Sequence, residues 1–203
     1  VTKVEQGNWV LGGNNSFTGA VNILAGVGSS STTATTGGAL IVTHDSALGT
    51  SAGGVTIGLF PGSANAGGGA GTGLMLRGGR TIAGETLTNT ITQATLRAED
   101  GVNAWTGGIV LGGTNAQFRI AASAGASLNI SGIISGTTGS ESLYLADMGT
   151  KILSGNTNTY SGITAVVGGT VRLDFATNNN SKLPDAGALQ LGWRDSGVVQ
   201  LIG

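Results

Sequence analysis

Short runs in which two apolar residues stand two apart, with a residue pointing the other way between them, recur along almost the whole chain. They are Trp9/Leu11, Val21/Ile23, Leu40/Val42, Val55/Ile57, Leu74/Leu76, Ile109/Leu111, Phe118/Ile120, Leu128/Ile130, Leu143/Leu145, Val171/Leu173/Phe175, Leu189/Leu191 and Val199/Leu201. Period-two alternation marks β-strands with one buried face. Gly-Gly, Ser-Gly, Asn-Asn and Asn-Thr steps separate the runs, and Gly and Asn tolerate the positive φ of tight corners. Helical periodicity is nearly absent; the one candidate, Ala94 to Asp100, is short and uncapped.

A strand with a two-residue apolar face cannot bury that face alone. It can when successive turns of a coil stack, so that each turn covers the one below. The expected fold is therefore all-β, a right-handed parallel β-helix (a β-solenoid), since parallel crossovers are overwhelmingly right-handed. With roughly 20 to 25 residues per rung, the chain gives about eight to ten rungs. A sandwich of antiparallel hairpins is the alternative, and it calls for two-residue Asn-Gly or Asp-Gly turns. The sequence has no Asn-Gly, and its single Asp-Gly, Asp100-Gly101, precedes a poor strand.

Composition narrows the function classes. Glycine contributes 39 of 203 residues and charged residues only 9%, a mixture that would suit a disordered linker were the apolar residues not so regularly spaced. The net charge is −1 with Lys and Arg dispersed singly, so the basic stripe of a nucleic-acid binder is missing. No apolar run approaches a membrane-spanning helix. Without cysteine, the redox compartment stays open. The chain opens in mid-pattern, which reads as a mature or excised piece of something longer.

One pattern is repeated. Gly149 to Phe175, GTKILSGNTNTYSGITAVVGGTVRLDF, has a diverged copy in Gly7 to Gly26, GNWVLGGNNSFTGAVNILAG. They match at Leu11/Leu153, Gly13/Gly155, Asn14/Asn156, Phe17/Tyr160 and Gly19/Gly162, with one extra residue in the later turn. Material downstream also corresponds, DSALGTSAGGVTIG (Asp45 to Gly58) with NSKLPDAGALQLG (Asn180 to Gly192). The expected organisation is a single continuous solenoid over 1–203, with one long unit, 1–145, and part of a second, 146–203.

The signature TKILSGNTNTYSGITAVVGGTVRL, with SLNISGIISGTTGS upstream, resembles the autotransporter-associated β-strand repeat, also called the passenger-associated transport repeat. Leu153, Ser154, Gly155, Asn158, Thr159, Tyr160, Gly162, Gly169, Thr170 and Val171 carry the resemblance; the first copy keeps Leu11, Gly13, Asn15, Phe17 and Gly19. The resemblance implies a secreted right-handed parallel β-helix on the cell surface of a Gram-negative-type bacterium, without enzyme activity.

Candidate chemistry is sparse. His44-Asp45 places the one histidine beside an acid, but adjacent strand residues point to opposite faces and cannot form a catalytic pair, so a polar corner is expected. With one His and no Cys, a zinc site lacks ligands. Glu99-Asp100 is the one acidic doublet, while Glu85, Glu141, Asp147, Asp174, Asp185 and Asp195 stand apart in sequence and could meet only across rungs. Ala66 to Gly73, AGGGAGTG, lacks the Lys-Ser/Thr of a phosphate loop and reads as a loop projecting from the rod. Calcium-binding nonapeptides need an Asp that is missing here. Asn14, Asn15, Asn156, Asn158 and the 178–180 run suit hydrogen-bonded ladders along the axis. Phe17, Tyr160, Trp9, Trp105 and Trp193 suit column caps, or platforms for a glycan if exposed on one face.

No catalytic, cofactor-binding or metal-binding residue is therefore expected, and no cofactor. The expected function is a non-catalytic structural segment, a rod, stalk or filament continued end to end by further repeats or further copies. An adhesin holding surface glycans on its lateral face is the alternative. A polysaccharide-cleaving enzyme is the third, and needs carboxylates and a basic residue converging in one groove.

Overall fold

A computed structural model describes residues 1–4, 6–25, 38–61, 72–113, 115–192 and 196–203. Among these residues the chain forms twenty short strands and no helix, and every strand pair is parallel. The strands build three sheets. Sheet I joins β1 (Thr2–Lys3), β3 (Val21–Ala25), β5 (Val55–Leu59), β8 (Leu87–Asn89), β11 (Ile109–Leu111) and β14 (Ile134–Gly136), in that order. Sheet II joins β2 (Trp9–Leu11), β4 (Ala39–Val42), β6 (Gly73–Leu76), β9 (Gln93–Ala98), β12 (Gln117–Ala122), β15 (Ser142–Ala146), β17 (Thr164–Val166) and β19 (Leu189–Leu191). Sheet III joins β7 (Thr81–Ile82), β10 (Val102–Trp105), β13 (Ser127–Ile130), β16 (Thr150–Leu153), β18 (Gly169–Asp174) and β20 (Gly197–Ile202). This is a parallel β-solenoid, and sheet II passes eight times.

All twelve apolar runs fall on these strands, and their inward residues line up in columns. Leu40, Leu74, Leu96, Ile120, Leu145 and Val166 stack in register along sheet II, each at most 1% exposed. Val21, Val55, Leu87, Ile109 and Ile134 do the same along sheet I. Ile82, Trp105, Ile130, Leu153 and Leu173 form the matching column of sheet III. The helix candidate Ala94 to Asp100 is instead strand β9, with Ala94, Leu96 and Ala98 buried. Alanine's helical preference is weak, and stacking between two neighbouring strands overrides it.

A coil takes as few as 20 residues, Thr2 to Asn22, and as many as 34, Val21 to Val55. The surplus lies between β3 and β4 and between β5 and β6, while the middle coils keep the expected 20 to 25. In the middle, from β6 to β16, the chain visits all three sheets in turn. At the start it alternates between sheets I and II, and at the end between II and III.

Glycine serves close approach as much as turning. Two residues before the sheet I strands stand Gly19, Gly53, Glu85, Gly107 and Gly132. A Cβ built on Gly107 would meet the Glu85 carbonyl at 1.9 Å, and one on Gly132 the Gly107 carbonyl at 1.8 Å. Backbone rests directly on backbone at this edge. At the corner from sheet II to sheet III each coil instead needs a left-handed residue. Gly169 (φ 62°) supplies it in one coil and Asp147 (φ 65°) in the coil before.

Candidate functional site

The histidine and most of the acidic candidates are engaged structurally, some across coils and some within their own turn. His44 Nδ1 accepts the Ser46 N–H at 3.1 Å, making it a corner residue. Asp45 points away from it, accepting the Thr81 N–H at 3.1 Å and lying 3.7 Å from Arg80. Glu99 pairs with Arg77 of the previous coil at 2.6 Å, and Asp100 accepts the Gly78 N–H. Asp147 pairs with Arg97 at 3.2 Å. Asp174 accepts the Ala176 N–H at 2.9 Å, and Asp185 meets Ser181 at 3.4 Å. Among the described residues, no three His, Cys, Asp or Glu side chains converge as metal ligands. Residues 66–71, Trp193 and Asp195 lie outside the described residues.

Two glutamates sit inside the coil. The Glu141 carboxylate gathers the N–H groups of Thr137, Thr138 and Gly139 at the head of a turn. Burial pushes this carboxyl up, but backbone donation from Thr138, Glu141 itself and Thr137 outweighs it and holds the group below its usual range. Glu85, 3% exposed, has its carboxyl raised by burial.

Buried lysines were not foreseen from the sequence. Lys151 occupies an inward position between Leu128 and Val171 and is wholly buried. Its ammonium donates to the carbonyls of Asp147 (2.7 Å), Gly149 (3.0 Å) and Gly168 (2.7 Å), closing the left-handed corner from inside. Burial lowers its pKa to about 8, against the opposing pull of Asp147. Lys182 donates to the carbonyls of Ser154 (3.0 Å) and Gly155 (2.9 Å), 5.6 Å from the centre of the Phe175 ring. Burial lowers its pKa too, opposed by Asp174. Each lysine replaces water for carbonyls that a corner leaves unpaired.

Asparagine acts across coils, but on backbone. Asn158, 5% exposed, accepts the Ile134 N–H at 2.8 Å from the coil below and donates to the Lys182 carbonyl at 2.7 Å in the coil above. Asn15 donates to the Ala47 carbonyl at 2.8 Å. Asn103 likewise accepts the Arg80 N–H and reaches the Ser127 carbonyl. The Asn-on-Asn ladder expected for these positions is thus replaced, in the bonds of Asn15 and Asn158, by side-chain clips to main chain. Asn14 is exposed at the first turn, and the 178–180 run lies on the surface or half-buried.

Tyr160, 1% exposed, packs in the column with its hydroxyl 2.5 Å from Thr164 Oγ1, and burial raises its pKa to about 12. Trp105 and Phe118 are wholly buried. Trp9, 46% exposed, is the first inward residue of sheet II, and Phe17 is half-buried. These rings belong to the column and its first coil; they do not gather on an outer face.

The Leu-Ser-Gly-Asn turn, its buried Tyr160 and its Asn158 clip lie within a segment that a family model matches. The passenger-associated-transport-repeat model matches residues 1–27 and 146–173. Two segments of the chain are thus similar to that repeat. A repeat of this kind points to an autotransporter passenger region, hence to a secreted or surface bacterial protein, and the repeat family is not a catalytic one. No curated protein and no solved structure matches the chain.

The two repeats lie on different sides of the coil. The first runs from β2 on sheet II to β3 on sheet I; the second runs from β16 on sheet III to β17 on sheet II. In each, the Asn/aromatic turn takes the place of a strand on the side it skips. Strands β1 to β6 correspond in order to β15 to β20, each moved one side around.

Proposed function

We propose that this chain is a non-catalytic structural segment of a surface protein from a Gram-negative-type bacterium, a stalk or filament shaft continued end to end. The supporting observation is the last coil. Leu191 stacks on Val166, and Leu201 on Leu173, in the inward columns, yet they are 61% and 72% exposed. Leu189, opposite Thr164 on the same inward side as Leu191, is also exposed, at 45%. Apolar residues facing along the axis, beside strand edges free to pair, call for another coil above them. The unit 1–145 followed by the start of a second at 146 suits tandem repetition. The shaft's mechanics follow from unbroken hydrogen bonding along the axis and a dry column of Leu, Ile and Val.

Electron microscopy of the concentrated chain tests this reading. Rods longer than one chain with unbroken axial density are expected, and Leu201→Lys should shorten them. Discrete short rods that stay dispersed would overturn it. The dispersal and engagement of the carboxylates weigh against the polysaccharide-cleaving reading. Buried aromatics weigh against an adhesin built on stacking platforms.

A further inference from the structure

The outer face of sheet II carries a cleft of about 410 Å³ at its edge with sheet III. Arg97, Arg119, Ser123, Asp147, Met148 and Val167 line it. Two arginines and one carboxylate are among its lining residues. Arg97 is committed: it pairs with Asp147 at 3.2 Å and donates to Ser123 Oγ at 3.1 Å. Arg119, one coil further on, is not; its Nε is buried with no hydrogen-bond partner. A buried unpaired donor on a cation is costly, and a bound anion removes the cost once the side chain turns that edge of its guanidinium into the cleft it lines.

We propose that this cleft binds the carboxylate of an acidic sugar, with Arg119 as its principal ligand. A guanidinium offers two parallel N–H donors matched to a carboxylate. Ser123 Oγ and the free lone pairs of Asp147 sit where sugar hydroxyls can donate or accept. Met148, 63% exposed, and Val167 offer a small apolar surface to the C–H face of a ring. Asp147 at the same rim repels a run of acidic side chains, so one carboxylate among hydroxyls fits better than an acidic peptide. This site does not depend on the shaft continuing at its ends, and it would add a lateral binding function to it.

The test is calorimetric titration of the full chain with trigalacturonate, galactotriose and tetraglutamate. Trigalacturonate should bind, and Arg119→Gln should weaken it at least about tenfold, as expected for a charge-assisted pair. Arg172→Gln, on sheet III and paired with Gln200 at 3.0 Å, should leave binding unchanged. If Arg119→Gln fails to fold, Met148→Glu sets a carboxylate at the exposed mouth and should abolish binding instead. The proposal is overturned if trigalacturonate does not bind, if galactotriose or tetraglutamate binds as tightly, or if the variant that folds binds like the parent chain.

Discussion

The two copies of the repeat share a sequence pattern and differ in their neighbours. Among the described residues the first turn has a coil against one side, and the second is sandwiched. Gly19 and Gly162 hold the same place in the motif, yet a Cβ on Gly19 would meet nothing within 4 Å and one on Gly162 would meet the Glu141 carbonyl at 1.8 Å. Asn15 makes one clip upward; Asn158 makes that clip and accepts another from below. Both also donate their backbone N–H to the same place in the coil above, Asn15 to Ser46 and Asn158 to Ser181. Phe17 precedes Val21, whereas Tyr160 precedes Thr164, the partner of its hydroxyl. The extra residue of the second turn, Thr157, adopts a left-handed φ of 46°. The motif thus specifies a turn and its upward clip, and the coil beneath decides how strictly each position is held.

Exchanging equivalent residues exploits that asymmetry. Gly162→Ala should cost about 3 kcal/mol of unfolding free energy by denaturant titration, the scale of backbone overpacking. Gly19→Ala should change it by less than about 0.5 kcal/mol, as for an open surface position. Equal effects would mean the first copy is also covered. Asn158→Ala should cost about 2 kcal/mol, because it strands a buried N–H and a buried carbonyl. Asn15→Ala should cost about half as much, having one such bond to lose.

Lys151 gives the comparison a pH dependence, since the first copy has Trp9 at the aligned position. Its folded pKa of about 8 lies below the unfolded value of 10.5, so the folded coil binds that proton less tightly. This contribution to stability is present above the unfolded pKa and is lost as pH falls through 8. The unfolding midpoint should climb from pH 8 toward 10.5, and Lys151→Met should flatten the rise. Tyr160→Phe should cost about 1 kcal/mol for one buried hydroxyl pair, checked by the same titration.

The strands legible in the sequence were those whose two inward positions are both apolar. Strands β8, β10 and β14 escape that rule because Asn89, Asn103 and Gly136 each take one inward place. Asn89 is tolerated there because its side chain accepts from and donates to Ile91, closing its own turn. The Lys151 cage is equally invisible to an apolar pattern, since its partners are carbonyls brought together by a corner. The polar corner expected at His44-Asp45 is a turn after β4, where strand alternation does not apply and bonds to the Ser46 and Thr81 N–H groups engage the two side chains. The lateral cleft is not legible in sequence: Arg97 and Arg119 come from separate strands, and only the register of β9 on β12, with Arg97 opposite Ala121 and Arg119 opposite Thr95, sets them diagonally on one face. Nor does sequence alone reveal that the second repeat has moved one side around, because that depends on how many strands each intervening coil takes.

That rotation is the claim most worth testing, and a chain without cysteine makes the test clean. Asn129 and Ile152 are strand partners on sheet III, both half-buried. Oxidation of the Asn129→Cys, Ile152→Cys double variant should give a near-complete intramolecular disulfide, neighbouring parallel strands being within bridging distance. The Arg119→Cys, Ile152→Cys pair, on different sheets, should stay reduced. Bridging of the second pair and not the first would place the repeat on sheet II and contradict the account.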